Sequence, residues 1–197
     1  MNDQVNDKMG DKVRNQEKGN NIILIGFMGT GKTSLGKAAA RKLKIPFLDT
    51  DDLIVEKEGM TINEIFATKG EAYFRSLETQ IIKELQELEG GHVIAAGGGL
   101  PLREENRPLL KKLGQVIYIR TSPQILAERL ESDTKRPVLK QGEGTILEKV
   151  ERILGEREPK YVDAADIIIE NDGRSFFNTA KKLINIYRKG GEYNDQS

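Results

Sequence analysis

Residues 22–33 read Ile-Ile-Leu-Ile-Gly-Phe-Met-Gly-Thr-Gly-Lys-Thr, and the ten that follow read Ser-Leu-Gly-Lys-Ala-Ala-Ala-Arg-Lys-Leu. The first four form a short apolar run with the character of a strand buried on both faces. The last ten read as a helix. Between them lies Gly26, four residues, then Gly31-Lys32-Thr33, the spacing of a phosphate-binding loop. Gly26, Gly29 and Gly31 allow turns that side chains oppose and let the backbone approach a ligand closely. The N–H groups of such a loop point inward at an anion, and the start of the following helix adds its dipole. In this arrangement Lys32 reaches the outer phosphates of a nucleotide and the Thr33 hydroxyl meets Mg²⁺.

Outward from this loop, short apolar runs alternate with helical patterns. Strands are expected at Asn21–Gly26, Pro46–Asp49, His92–Ala96, Gln115–Arg120 and Asp166–Glu170. Helices are expected at 32–43, 51–58, 61–89 with a break near Gly70, 103–113, 122–132, 144–163 and 175–189. Thr61 followed by Glu64 is a capping-box signature, and Ser122-Pro123 puts a proline in a first helical turn. Strands alternating with helices imply an α/β fold, a parallel sheet with right-handed crossovers and helices on both faces. Ligands then gather beyond the carboxyl ends of the strands. The polar stretches 1–19 and 191–197 are expected to be flexible extensions flanking one domain over 20–190.

The chain has 197 residues, 37% hydrophobic and 31% charged, with equal numbers of acidic and basic side chains. Zero formal charge argues against a general affinity for nucleic acid or for an anionic membrane. With no cysteine, disulfides, thiolate zinc sites and a cysteine nucleophile are excluded. No apolar run approaches membrane-spanning length, and the N-terminus lacks the apolar stretch of a secretory signal, so a cytoplasmic location is expected.

Three further places carry chemistry. The second strand ends in Asp49-Thr50-Asp51-Asp52. Asp52 suits the solvated start of a helix. Asp49 and Asp51 are two apart, so in an extended segment they point the same way; one would organise the metal and the other would orient a substrate hydroxyl and take its proton. The third strand ends in Gly97-Gly98-Gly99, whose use is close approach of backbone donors to a ligand. The polar segment 132–144 contains Lys135-Arg136-Pro137 and reads as a basic, flexible lid over a phosphate site. His92, the only histidine, opens a strand and is read as structural, so a carboxylate must serve as base.

Taken in order, the phosphate loop, Asp49-Thr50-Asp51, Gly70-Glu71-Ala72-Tyr73-Phe74-Arg75, Gly97-Gly98-Gly99, Lys135-Arg136-Pro137 and Glu156-Arg157-Glu158-Pro159-Lys160-Tyr161 resemble shikimate kinase, a member of the nucleoside-monophosphate-kinase branch of the phosphate-loop fold. The similarity runs from Asn21 to about Arg188. It implies a three-layer αβα sandwich around a five-stranded parallel sheet of order 2-3-1-4-5. It also implies ATP- and Mg²⁺-dependent phosphorylation of the 3-hydroxyl of shikimate, on the route to chorismate and aromatic amino acids, by a monomer. By the same resemblance Gly29, Thr30, Gly31, Lys32, Thr33 and Ser34 hold ATP, with Arg129 on adenine and Arg136 on the phosphates; Thr33 and Asp49 manage Mg²⁺. Asp51, Arg75, Gly98 and Arg157 bind shikimate, with Asp51 as base and Lys32 and Arg136 completing the catalytic set. Ser34 follows Thr33 where many relatives carry serine then threonine, a swap that keeps a hydroxyl in the metal position.

Two other readings compete. Another small-molecule kinase of this branch, such as a gluconate kinase, shares the loop and the lid but does not need Asp51, Arg75, Gly98 and Arg157 together. A non-catalytic nucleotide-binding module would typically have lost the lysine, the metal acid or the substrate arginines, and all are present.

Overall fold

The computed structural model describes residues 20–131, 143–173 and 175–190. The expected extensions, most of the expected lid and Arg136 lie outside these residues. The strands are β1 (Ile22–Ile25), β2 (Phe47–Asp49), β3 (Val93–Ala95), β4 (Gln115–Arg120) and β5 (Ile167–Glu170). They form one sheet of order β2-β3-β1-β4-β5, with every neighbouring pair parallel. This is the expected order. The described helices are α1 (Lys32–Leu43), α2 (Thr50–Glu58), α3 (Ile62–Glu84), α4 (Asn106–Leu113), α5 (Pro123–Glu131), α6 (Ile146–Ala164) and α7 (Phe176–Arg188).

Period-two alternation along the central strands sorts side chains into the two halves of the core. Ile23 and Ile25 of β1, with Val116 and Tyr118 of β4, pack against α3, α4, α5 and α6. Ile22 and Leu24, with Ile117 and Ile119, pack against α1 and α7 on the other face. Because both faces are covered, these strands need apolar residues at every position, which is why β1 is buried throughout. β1 lies between β3 and β4; the chain crosses from β1 to β2 on one side of it and later from β3 to β4 on the other. The crevice at the carboxyl end of β1 is therefore the switch point where such sheets bind ligands.

Local chemistry fixes the ends of the elements. Thr61 and Glu64 form the expected reciprocal capping box at the start of α3. The expected break is real: Gly70 has φ 80° and ψ 170°, so α3 is two helical segments meeting at a kink. Two expectations are corrected. The stretch 103–113 is not one helix; a 3₁₀ turn spans Leu100–Leu102 and α4 begins only at Asn106. Pro108, which has no N–H to give, fits only the first turn of a helix and sets that start. The second correction concerns Asp51, described below. His92 is structural, as expected: it is 9% exposed, its backbone N–H donates to Asn21 Oδ1 at 2.9 Å and its Nδ1 lies 3.3 Å from the same oxygen.

Candidate active site

The loop from Gly26 to Gly31 wraps back over the end of β1. Gly26, Gly29 and Gly31 have φ of 145°, 82° and 89°, values that L side chains rarely adopt. Gly31 is the N-cap of α1, and among the described residues no side chain caps that helix start. A helix start left uncapped in this way favours an anion. Lys32 Nζ donates to the carbonyls of Gly26 at 2.8 Å and Phe27 at 3.0 Å, so its ammonium is folded over the loop. Buried Thr30 closes the loop through its hydroxyl, which donates to Phe27 O at 3.0 Å. Ser34 is exposed on the first turn of α1. Arg129, from α5, reaches across to donate to Gly29 O at 3.0 Å. A Cβ on Gly173, in the β5–α7 connection, would lie 3.3 Å from Arg129 Nη2.

Beside the loop, Thr33 Oγ1 donates to Asp49 Oδ2 at 2.8 Å. Among the described residues no group of three or more acidic or histidine side chains could cage a metal ion. A hydroxyl and one carboxylate nevertheless suit Mg²⁺, which keeps several waters and takes its remaining ligands from phosphate. Asp51 is not extended with Asp49. It sits in the first turn of α2, and Asp49 is the N-cap, its Oδ1 accepting from the Asp51 N–H at 3.1 Å. The helix begins earlier than its sequence suggests because Asp49 caps it and acids in its first turn suit the dipole. Asp49 lies at a strand end beside Thr33, and Asp51 at a helix start against Gly97.

The glycines after β3 form the opposite wall. The Gly97 N–H donates to Thr50 Oγ1 at 2.8 Å, tying this wall to the start of α2. A Cβ on Gly97 would lie 2.5 Å from Asp51 Oδ1 and 3.2 Å from Glu78 Oε1, so two carboxylates press on this one residue. A Cβ on Gly98 would lie 3.3 Å from Gly26 O, so a side chain there would crowd the phosphate loop. Any side chain on Gly99 would collide with Arg75 Nη1. From α6, Arg157 lies over the Phe27 ring at 5.7 Å. One turn on, the buried Tyr161 donates from its hydroxyl to Gly98 O at 2.7 Å.

Arg75 projects from the second segment of α3. Its Nη1 donates to Glu78 Oε2 at 2.7 Å, and its Nε and Nη2 donate to Glu71 Oε1 at 3.2 and 3.0 Å. The two acids keep its pKa above the ordinary arginine value despite burial. Glu78 is 1% exposed, and among the described residues its Oε1 has no hydrogen-bond partner. Burial pushes its pKa up to about 6; Arg75 opposes this and Asp51 adds to it.

An acid with such a raised pKa holds its proton more tightly in the folded chain than in the unfolded one. Its contribution to stability is fully present below about pH 4.5 and is lost as pH rises through about 6. The loss amounts to roughly 2 kcal/mol. Glu78→Gln keeps the shape and removes the titration. Its urea midpoint is expected to vary less across this pH window than that of the unaltered protein, and equal slopes would refute the assignment.

Tyr161, Glu78, Thr50 and Glu71 were not singled out from sequence. For the two acids a signal existed: they stand four residues before and three after Arg75, on one face of a helix. For Thr50 and Tyr161 nothing in the spacing marks a bond to a distant glycine.

A sheet of this order, with a phosphate loop after its first strand and an acid-and-arginine crevice beside it, defines a phosphate-loop kinase of small molecules. A model of the shikimate kinase family matches residues 28–188. The chain is 42% identical over 169 residues to the shikimate kinase of Thermodesulfovibrio yellowstonii, covering 86% of this chain and 95% of that one. It is 39% identical over 163 residues to that of Francisella tularensis, covering 83% and 92%. Among solved structures, the shikimate kinase from Acinetobacter baumannii in complex with shikimate superposes with a TM-score of 0.79 at 33% identity, covering 90% of this chain and 97% of that one. The chain belongs to the shikimate kinase family.

Proposed function

We infer that this chain transfers the γ-phosphoryl group of ATP to the 3-hydroxyl of shikimate, giving shikimate 3-phosphate on the route to chorismate and aromatic amino acids. The observation that carries the reading is a meeting of two sets of groups in one crevice. The phosphate loop and Asp49 line one side; Asp51, Gly97–Gly99, Arg75 and Arg157 line the other. The chain's membership of the family gives the substrate. The rival gluconate-kinase reading is not favoured, because the relatives named above are shikimate kinases.

In this reading Lys32 leaves the loop carbonyls and turns to the outer phosphates, while the N–H groups of Gly29 to Ser34 cradle the rest. Thr33 and Asp49 hold Mg²⁺, whose chemistry is to neutralise charge on the phosphate oxygens. Arg129, held by Gly29 O, bears on the adenine, and Arg136 reaches the phosphates from the lid. Arg75 and Arg157 clamp the substrate carboxylate; their planar donor forks match it better than an ammonium would. The Gly98 backbone lines the same subsite. Asp51 accepts the proton of the attacking hydroxyl and fixes its direction. Little covalent chemistry is asked of the protein, since positioning and charge neutralisation carry phosphoryl transfer.

The same inference covers the organisation of the chain: a kinase domain over 20–190 with its lid at 132–144, working as a cytoplasmic monomer without nucleic acid or membrane partners. Among the described residues no helix is long and apolar enough to cross a membrane. Purified protein given ATP and Mg²⁺ should release ADP at a rate that depends on added shikimate and is not restored by gluconate. ADP release that is the same with and without shikimate would overturn the reading.

A further inference from the structure

The Nε, Nη1 and Nη2 atoms of Arg75 each donate to an acid before any substrate arrives. One nitrogen is held by Glu78, and the remaining edge, Nε with Nη2, converges on a single oxygen of Glu71. The two acids differ in kind. The side chain of Glu78 is 1% exposed and immobilised under Gly97, whereas that of Glu71 is 66% exposed on the first turn after the Gly70 kink. An arginine grips a carboxylate bidentately through two parallel N–H groups. The side-on pair of Arg75, Nε with Nη2, becomes available only when Glu71 lets go. Glu71, solvated and with rotamers open to it, is the one that can leave at small cost.

We propose that Glu71 is an internal competitor of the substrate: its carboxylate occupies the edge of Arg75 that receives the carboxylate of the incoming hydroxy acid and must be displaced for binding. The proposal rests on the reading of Arg75 as a carboxylate clamp given above. While the crevice is empty, Glu71 keeps the Arg75 fork oriented against Gly99; when substrate enters, one carboxylate replaces another. Glu71 thereby sets the apparent affinity for the acid without touching the reacting atoms. Exchange at a solvated ion pair of this sort should alter affinity by about twofold to fivefold.

The test is a double-mutant cycle on Glu71 and Arg75, read as kcat and KM for shikimate and for ATP. Glu71→Gln should lower the shikimate KM about twofold to fivefold, leave kcat unchanged because Glu71 is already displaced at saturation, and leave the ATP KM unchanged. In an Arg75→Ala background the same substitution should have no effect on kcat/KM for shikimate. Glu71→Ala, which also removes the amide, should behave as Glu71→Gln does. A shikimate KM that rises would make Glu71 a support for Arg75, and one that stays the same would make it a bystander; either overturns the proposal. An equal fall with and without Arg75 would reduce it to through-space repulsion and overturn it too. The parent reading fails separately: Arg75→Ala alone would then leave the shikimate KM where it was.

Discussion

Asp51→Asn is expected to lower turnover by about a hundredfold to ten-thousandfold, the contribution of a positioned general base, while ATP still binds. The asparagine occupies the same volume. It retains the backbone N–H that donates to Asp49 and the contact with Gly97, so the wall of the crevice keeps its shape. What disappears is the acceptor for the hydroxyl proton. Turnover from an ADP-release assay and ATP affinity from calorimetry would separate the two effects. Near-normal turnover would remove Asp51 as the base. Asp49, which accepts from Thr33 and from the Asp51 backbone, would then be the next acid to substitute.

Arg157→Ala and Arg75→Ala should each raise the shikimate KM more than tenfold, with ATP constants changed only severalfold. A hydrogen bond between charged partners is worth about 1.5–3 kcal/mol, which converts to more than a factor of ten in affinity. The two losses differ structurally. Removing Arg75 also strips the buried Glu78 of its only cation within hydrogen-bonding reach among the described residues, so some stability should go with it. Arg157 rests on the Phe27 ring beside Tyr161, and among the described residues its removal leaves no carboxylate stranded. Titration calorimetry with each ligand is the decisive measurement. If ATP affinity fell and shikimate affinity did not, the division of the crevice into a nucleotide half and an acid half would be wrong.

Much of the architecture was legible in the sequence because parallel sheets buried on both faces demand continuous apolar runs, and this chain supplies five. The strand Gln115–Arg120 and the helix Lys32–Leu43 coincide with their expected bounds. The phosphate loop was legible because its function depends on spacing along the chain. The geometry of Asp51 was not, because a side chain two residues on points the same way only if the backbone stays extended, and the Asp49 cap turns it into a helix. Glu78 was hidden for a different reason. Its burial comes from Gly97, nineteen positions away, and no local pattern records that a missing side chain there makes room for a carboxylate.

The lack of room for a side chain between Gly98 and the carbonyl of Gly26 has a thermodynamic corollary. Two bare stretches of main chain, one belonging to each half of the crevice, share a boundary too thin for any rotamer to absorb a shift. A ligand that stiffens one stretch lessens the ordering that the other still requires, so each guest should strengthen the hold on its companion, and by linkage the enhancement is equal in both directions.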